Sequence, residues 1–150
     1  MRIYLDVCCL NRPFDEQSQD RIKIETDAVL SILNRCCTGK WELLGSEAID
    51  FEISQIPDDE RRAEVEALLS LASVKITVDK YIENRAIELI HYKIYPFDAL
   101  HIACSEMGMA DVMLTTDDNL LRKAARHKSI IKIRVENPVT WLMEVIQNGN

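Results

Sequence analysis

Short runs of β-branched and large apolar residues alternate along the chain with longer segments in which apolar positions recur every three or four residues. This alternation is the pattern of an α/β fold built on a parallel sheet. RIYLD, WELLG, VKITV, DVMLTT and IIKIRVE, beginning at Arg2, Trp41, Val74, Asp111 and Ile130, predict five strands. Helices are predicted from about Arg21 to Cys36, closed by Gly39, and from the N-cap candidate Ser46 through about Ile56. Further helices are expected over DDERRAEVEALLSLA, DKYIENRAIELIHYK, FDALHIACSEMG and DDNLLRKAARH, with PVTWLMEVIQ closing the chain and Pro138 in its first turn. NRPFDEQSQD, after the first strand, reads as a polar turn segment in which Pro13 discourages regular structure at Arg12. The expectation is one domain over residues 1–150, a three-layer α/β/α sandwich around a central, mainly parallel sheet. Such folds bind ligands beyond the carboxyl ends of their strands.

Four acids interrupt this pattern. Glu52 has Ile49, Ile53 and Ile56 at helical spacings of three and four, which places a carboxylate inside an apolar stripe. Asp6 and Asp117 fall at strand ends, and Asp98 opens a helix that is apolar on most sides. Each has an ordinary explanation as well: a turn residue for Asp6, helix caps for Asp98 and Asp117, and an edge or Arg-paired carboxylate for Glu52. Taken together they suggest one acidic pocket. Carboxylates within about 4 Å of one another repel by about 4 kcal/mol per pair at an effective dielectric of 20, and a divalent cation would relieve that. Oxygen ligands without His or Cys in register point to Mg²⁺ or Mn²⁺ rather than Zn²⁺.

Composition narrows the class. Apolar residues make up 47% and charged residues 29%, as in an ordinary globular protein. No apolar run approaches the about 20 residues that cross a bilayer, and Asp6 breaks the first apolar stretch, so a cytoplasmic chain without a membrane segment is expected. Five cysteines, Cys8, Cys9, Cys36, Cys37 and Cys104, show no CxxC spacing and read as reduced, mostly buried thiols. The net charge of −7 argues against a generic nucleic-acid binder. It is unevenly spread, however: Arg122, Lys123, Arg126, Lys128, Lys132 and Arg134 lie in a stretch without acids. That stretch is either a solvated face or a phosphate-contacting surface beside Asp117.

YLDVCCLNRPFD, SEAIDFE, DALHIA and MLTTDDNLL, in this order and spacing, resemble the four motifs of PIN domains over nearly the whole chain. The resemblance implies that Asp6, Glu52, Asp98 and Asp117 hold Mg²⁺ or Mn²⁺, with Asp118 as the neighbouring alternative to Asp117. Thr115 and Thr116 match the polar residues before the last acid, which orient it. It further implies metal-dependent endonucleolytic cleavage of RNA, leaving 5′-phosphate and 3′-hydroxyl ends. Small stand-alone members look like the toxins of toxin–antitoxin pairs, which dimerise and are silenced by a small antitoxin protein. One departure stands out: Cys8 occupies a position where the family often has Ser, Thr or Asn, which leaves the support of Asp6 open.

An acidic pocket needs cations nearby to guide a phosphate backbone, and Arg12, Arg122 and Lys123 are the candidates. Arg12 can equally pair with Asp15 or Glu16. His101, one turn after Asp98, either packs in the core or touches the acid cluster or the substrate. Two other readings remain: a degenerate PIN domain that binds RNA or protein without cutting, and a phosphohydrolase forming an aspartyl-phosphate on Asp6. The latter requires a second Asp where Cys8 stands.

Overall fold

The computed structural model describes residues 1–149 and contains five strands and eight α-helices among them. The strands are β1 (Arg2–Leu5), β2 (Glu42–Ser46), β3 (Val74–Ile76), β4 (Val112–Leu114) and β5 (Arg134–Glu136). The helices are α1 (Val7–Asn11), α2 (Asp20–Cys37), α3 (Glu47–Ser54), α4 (Asp59–Leu69), α5 (Lys80–Ile90), α6 (Pro96–Met107), α7 (Asp118–Arg126) and α8 (Pro138–Gln147), with a 3₁₀ turn over Arg12–Phe14.

All strand pairs are parallel, in the order β3-β2-β1-β4-β5. A parallel sheet is covered on both faces, so its central strands read as continuous apolar runs. Ile3, Tyr4 and Leu5 of β1 and all three residues of β4 are accordingly buried. The chain moves from β1 outward to β3, then returns past β1 to β4. With right-handed crossovers these opposite traverses place α2 on one face and the α5–α6 pair on the other, the three-layer arrangement expected from the sequence. α8 packs on α2, and Trp141 of α8 meets Trp41 edge-on at 5.2 Å.

Reversal of strand order occurs between β1 and β4, and the crevice at such a switch point is where open α/β sheets bind ligands. Asp6 follows β1 directly, and its N–H extends the ladder to Leu114 O at 2.9 Å. Asp117 lies three residues beyond β4.

Two local departures from the sequence expectation have physical causes. VCCLN is helical because the Asp6 carboxylate accepts the Val7 N–H and caps α1; five residues are too few to show a helical period. IIKIRVE pairs only over Arg134–Glu136, because Ile130 and Ile131 donate to His127 O in the turn closing α7 and Lys132 N–H donates to Glu106. The cysteines are free, with Cys9 and Cys104 buried, Cys8 and Cys36 half-buried, and Cys37 exposed at the end of α2, so burial is less general than expected.

Candidate functional site

Asp6 is 6% exposed and held from three sides. Its Oδ1 accepts the Val7 N–H at 2.8 Å, and its Oδ2 accepts the Thr115 hydroxyl at 2.8 Å and the Cys8 thiol at 3.4 Å. The short bond comes from Thr115, so Asp6 is anchored chiefly by a hydroxyl donated from β4's side of the crevice, with the Cys8 thiol as a longer, weaker donor. Thr115 Oγ1 also accepts the Asp117 N–H at 3.1 Å, linking the first and last acids through one side chain. Thr116 contributes backbone: its N–H donates to Cys8 Sγ and its carbonyl accepts from Arg21. Asp117 caps α7, its Oδ1 accepting from Asn119 and Leu120 N–H.

Glu52 reaches the same crevice from α3, its side chain one-third exposed. Its Oε1 lies 2.9 Å from Nε2 of His101, which is fully buried on α6. His101 Nδ1 lies 2.6 Å from the Tyr4 hydroxyl, itself 2.7 Å from Ser46 Oγ, and Ser46 Oγ caps α3 by accepting the Ile49 N–H. An ionised carboxylate can only accept, so Nε2 carries the proton facing Glu52. Burial disfavours a charged imidazole. The hydrogen bond to Glu52 and the charges of Asp6, Glu52 and Asp98 outweigh it, and the His101 pKa is raised. Burial pushes the Tyr4 phenol well above its ordinary value, so Tyr4 stays neutral.

One ligand atom each from Asp6, Glu52 and His101 lie within 4.8 Å of one another, a spacing that a single cation can bridge. Because Nε2 directs its proton to Glu52, the carboxylate oxygens remain the candidate ligands and His101 orients one of them. His101 stands three residues after Asp98 on α6, on the same helical face, and this offset was the available signal.

Asp98 completes the cluster electrically. Burial, reinforced by the charges of Asp6 and Asp117, raises its carboxyl pKa to about 6. Carboxylates gathered without a compensating cation behave this way, and the donor types present suit a hard divalent ion. A stability effect follows. The folded state takes up the Asp98 proton near pH 6, the unfolded chain only near its ordinary value of 3.8, so the ionisation penalty is present above pH 6 and relieved as pH falls toward 4. In chelator, wild type is expected to gain stability relative to Asp98→Asn as pH drops from 7 to 4, read from denaturation midpoints. A pH-independent difference would refute the assignment.

The candidate substrate cations separate. Arg12 Nε donates to Glu25 Oε1 at 2.8 Å and its NH1 to Asp15 at 3.2 Å, and Glu25 is buried and also bound by Arg21 and Asn137. Arg12 thus braces the α1–α2 connection. Asp118, the alternative to Asp117, forms two 2.8 Å bonds with Arg21. Arg122 is exposed on α7, and Lys123 places its ammonium 3.8 Å from the Tyr95 ring centre. At the far end of the basic stretch Arg134 is paired with Glu136 and Glu144.

Solved structures with this architecture include FitAcB from Neisseria gonorrhoeae, at 15% identity over 91% of this chain and 97% of that one, TM-score 0.58. VapBC2 from Rickettsia felis, bound to a DNA fragment from their promoter, matches at 15% identity over 91% and 98%, TM-score 0.61. PAE2754 from Pyrobaculum aerophilum matches at 15% identity over 98% and 99%, TM-score 0.54. At these identities the likeness concerns the fold. No curated protein matches the sequence. The PIN domain profile matches residues 3–126, and the chain belongs to the PIN domain family.

Proposed function

We propose that the protein is an endoribonuclease dependent on Mg²⁺ or Mn²⁺, and that it serves as the toxin of a toxin–antitoxin pair. The observation that carries the reading is the gathering of Asp6, Glu52 and His101 ligand atoms within 4.8 Å at the switch point, with Asp98 coupled to them, in a PIN-family chain. Asp6, Glu52, Asp98 and Asp117 would hold the cation, and His101 orients Glu52 through its Nε2–H. Such an ion, when bound, activates water and offsets charge on a scissile phosphate. The chain's own residues do the positioning: Thr115 fixes Asp6, His101 fixes Glu52, and Asp117 is fixed by its cap to α7.

The partner reading draws support from the similar structures, in which FitAB and VapBC2 are described as bound to DNA fragments, the latter from their promoter. A chain of net charge −7 is poorly suited to grip DNA alone, so a basic, DNA-binding antitoxin is the complementary partner. Arg122 and Lys123 are the proposed RNA-guiding cations, and a homodimer is the proposed assembly. No helix among the described residues is long and apolar enough to cross a membrane.

Purified protein is expected to cut single-stranded RNA with Mn²⁺ or Mg²⁺, to stop on chelation, and to resume when metal is restored. Binding of RNA or protein without any cleavage over a broad RNA panel would favour the degenerate binding module instead. A small reading frame directly upstream whose product co-purifies and blocks cleavage is the expected result for the toxin role.

A further inference from the structure

Phe51 and Phe97 stack on each other with ring centroids 5.7 Å apart and planes within 9°, yet they remain 54% and 42% exposed. Each immediately precedes an acid of the candidate site, Phe51 before Glu52 on α3 and Phe97 before Asp98 on α6. The Phe97 ring centre lies 6.4 Å from that of His101, whose Nε2 belongs to the acid cluster. An exposed pair of aromatic rings thus adjoins the residues of the pocket.

We propose that the Phe51–Phe97 stack is a nucleobase platform, seating an unpaired base of the RNA whose adjoining phosphodiester faces the acids. The proposal rests on the ribonuclease reading and names its substrate class: a single strand with unstacked bases. Aromatic side chains beside a phosphate-handling site are the standard means of holding single strands, because every base offers a π-face. Protein interfaces, by contrast, are depleted of acids at their cores, and each ring of this pair is followed in the chain by an acid of the candidate site, Glu52 or Asp98. At the N-terminus of α6, two residues before Phe97, the exposed Tyr95 ring carries the Lys123 ammonium at 3.8 Å, which brings a cation to the same helix end.

The test is fluorescence anisotropy of a labelled short single-stranded RNA in chelator, where cleavage does not intervene. Phe51→Leu/Phe97→Leu, which keeps apolar bulk without planar rings, is expected to weaken binding by roughly 5- to 150-fold, the range expected for loss of one stacked base. Phe97→Trp should retain binding, and an RNA with abasic sites around the scissile position should bind wild type as weakly as intact RNA binds the Leu variant. Unchanged RNA affinity in the Leu variant overturns the platform, as does unchanged RNA affinity with loss of self-association in sedimentation, which makes the pair a dimer face. Cleavage is scored separately. Wild type that binds in this ring-dependent way but never cuts leaves the platform and removes the nuclease reading; wild type that cuts as the Leu variant cuts, with equal KM, removes the platform alone.

Discussion

Asp6→Asn is expected to lower metal-dependent RNA cleavage by roughly 10²- to 10³-fold, the scale of losing one preorganised electrostatic contact at a reacting centre, while the protein stays folded. Asparagine keeps an oxygen to accept the Val7 N–H, so the cap on α1 survives. Its amide group would face Thr115 Oγ1, which can accept that bond in place of donating. What disappears is one negative charge of the cluster. Asp117→Asn removes a charge in the same way while preserving acceptance from Asn119 and Leu120, so it separates charge from capping. Single-turnover cleavage beside unfolding midpoints is the measurement. Cleavage surviving both substitutions would show that these acids do not hold the catalytic cation.

The parallel sheet was readable because strands buried on both faces are apolar throughout, as Ile3-Tyr4-Leu5 and Val112-Met113-Leu114 are. Strand order was not, because it depends on how far each crossover travels, which no local pattern records. Glu52 was legible as a charge in an apolar stripe, and its partner explains its cost: His101 meets it from the neighbouring helix. Asp117 had two competing readings, cap or site, and its geometry accommodates both, since one oxygen caps α7 and the backbone N–H ties it to Thr115. Arg12 shows the opposite outcome. A loop arginine carries no local sign of its direction, and the buried acceptor that holds it, Glu25, stands thirteen residues later on α2. Cys8 marked the spot where the support of Asp6 had to change, but that Thr115 supplies it required β1 and β4 to be neighbours.

His101→Ala should destabilise the protein by about 2–4 kcal/mol, combining a partly refilled cavity with loss of two buried hydrogen bonds. The imidazole is fully buried and uses both nitrogens, one toward Tyr4 and one toward Glu52. Tyr4→Phe is the informative companion, because it removes only the hydroxyl and should cost about 1–2 kcal/mol. Ser46 retains its cap on α3 in either variant, so α3 itself should remain. The functional consequence differs from the structural one. Glu52 is one-third exposed and, without His101, free to turn into solvent, and partners that orient metal-binding groups are typically worth about 10- to 100-fold in metal affinity or activity. His101→Ala should therefore weaken Mn²⁺ binding, measured by calorimetry well below the unfolding temperature, by more than Tyr4→Phe does. A loss of metal affinity that instead follows stability alone across the two variants would reduce His101 to a packing residue, and a Glu52→Gln variant that binds Mn²⁺ as tightly as wild type would detach the whole Ser46–Tyr4–His101–Glu52 chain from the site.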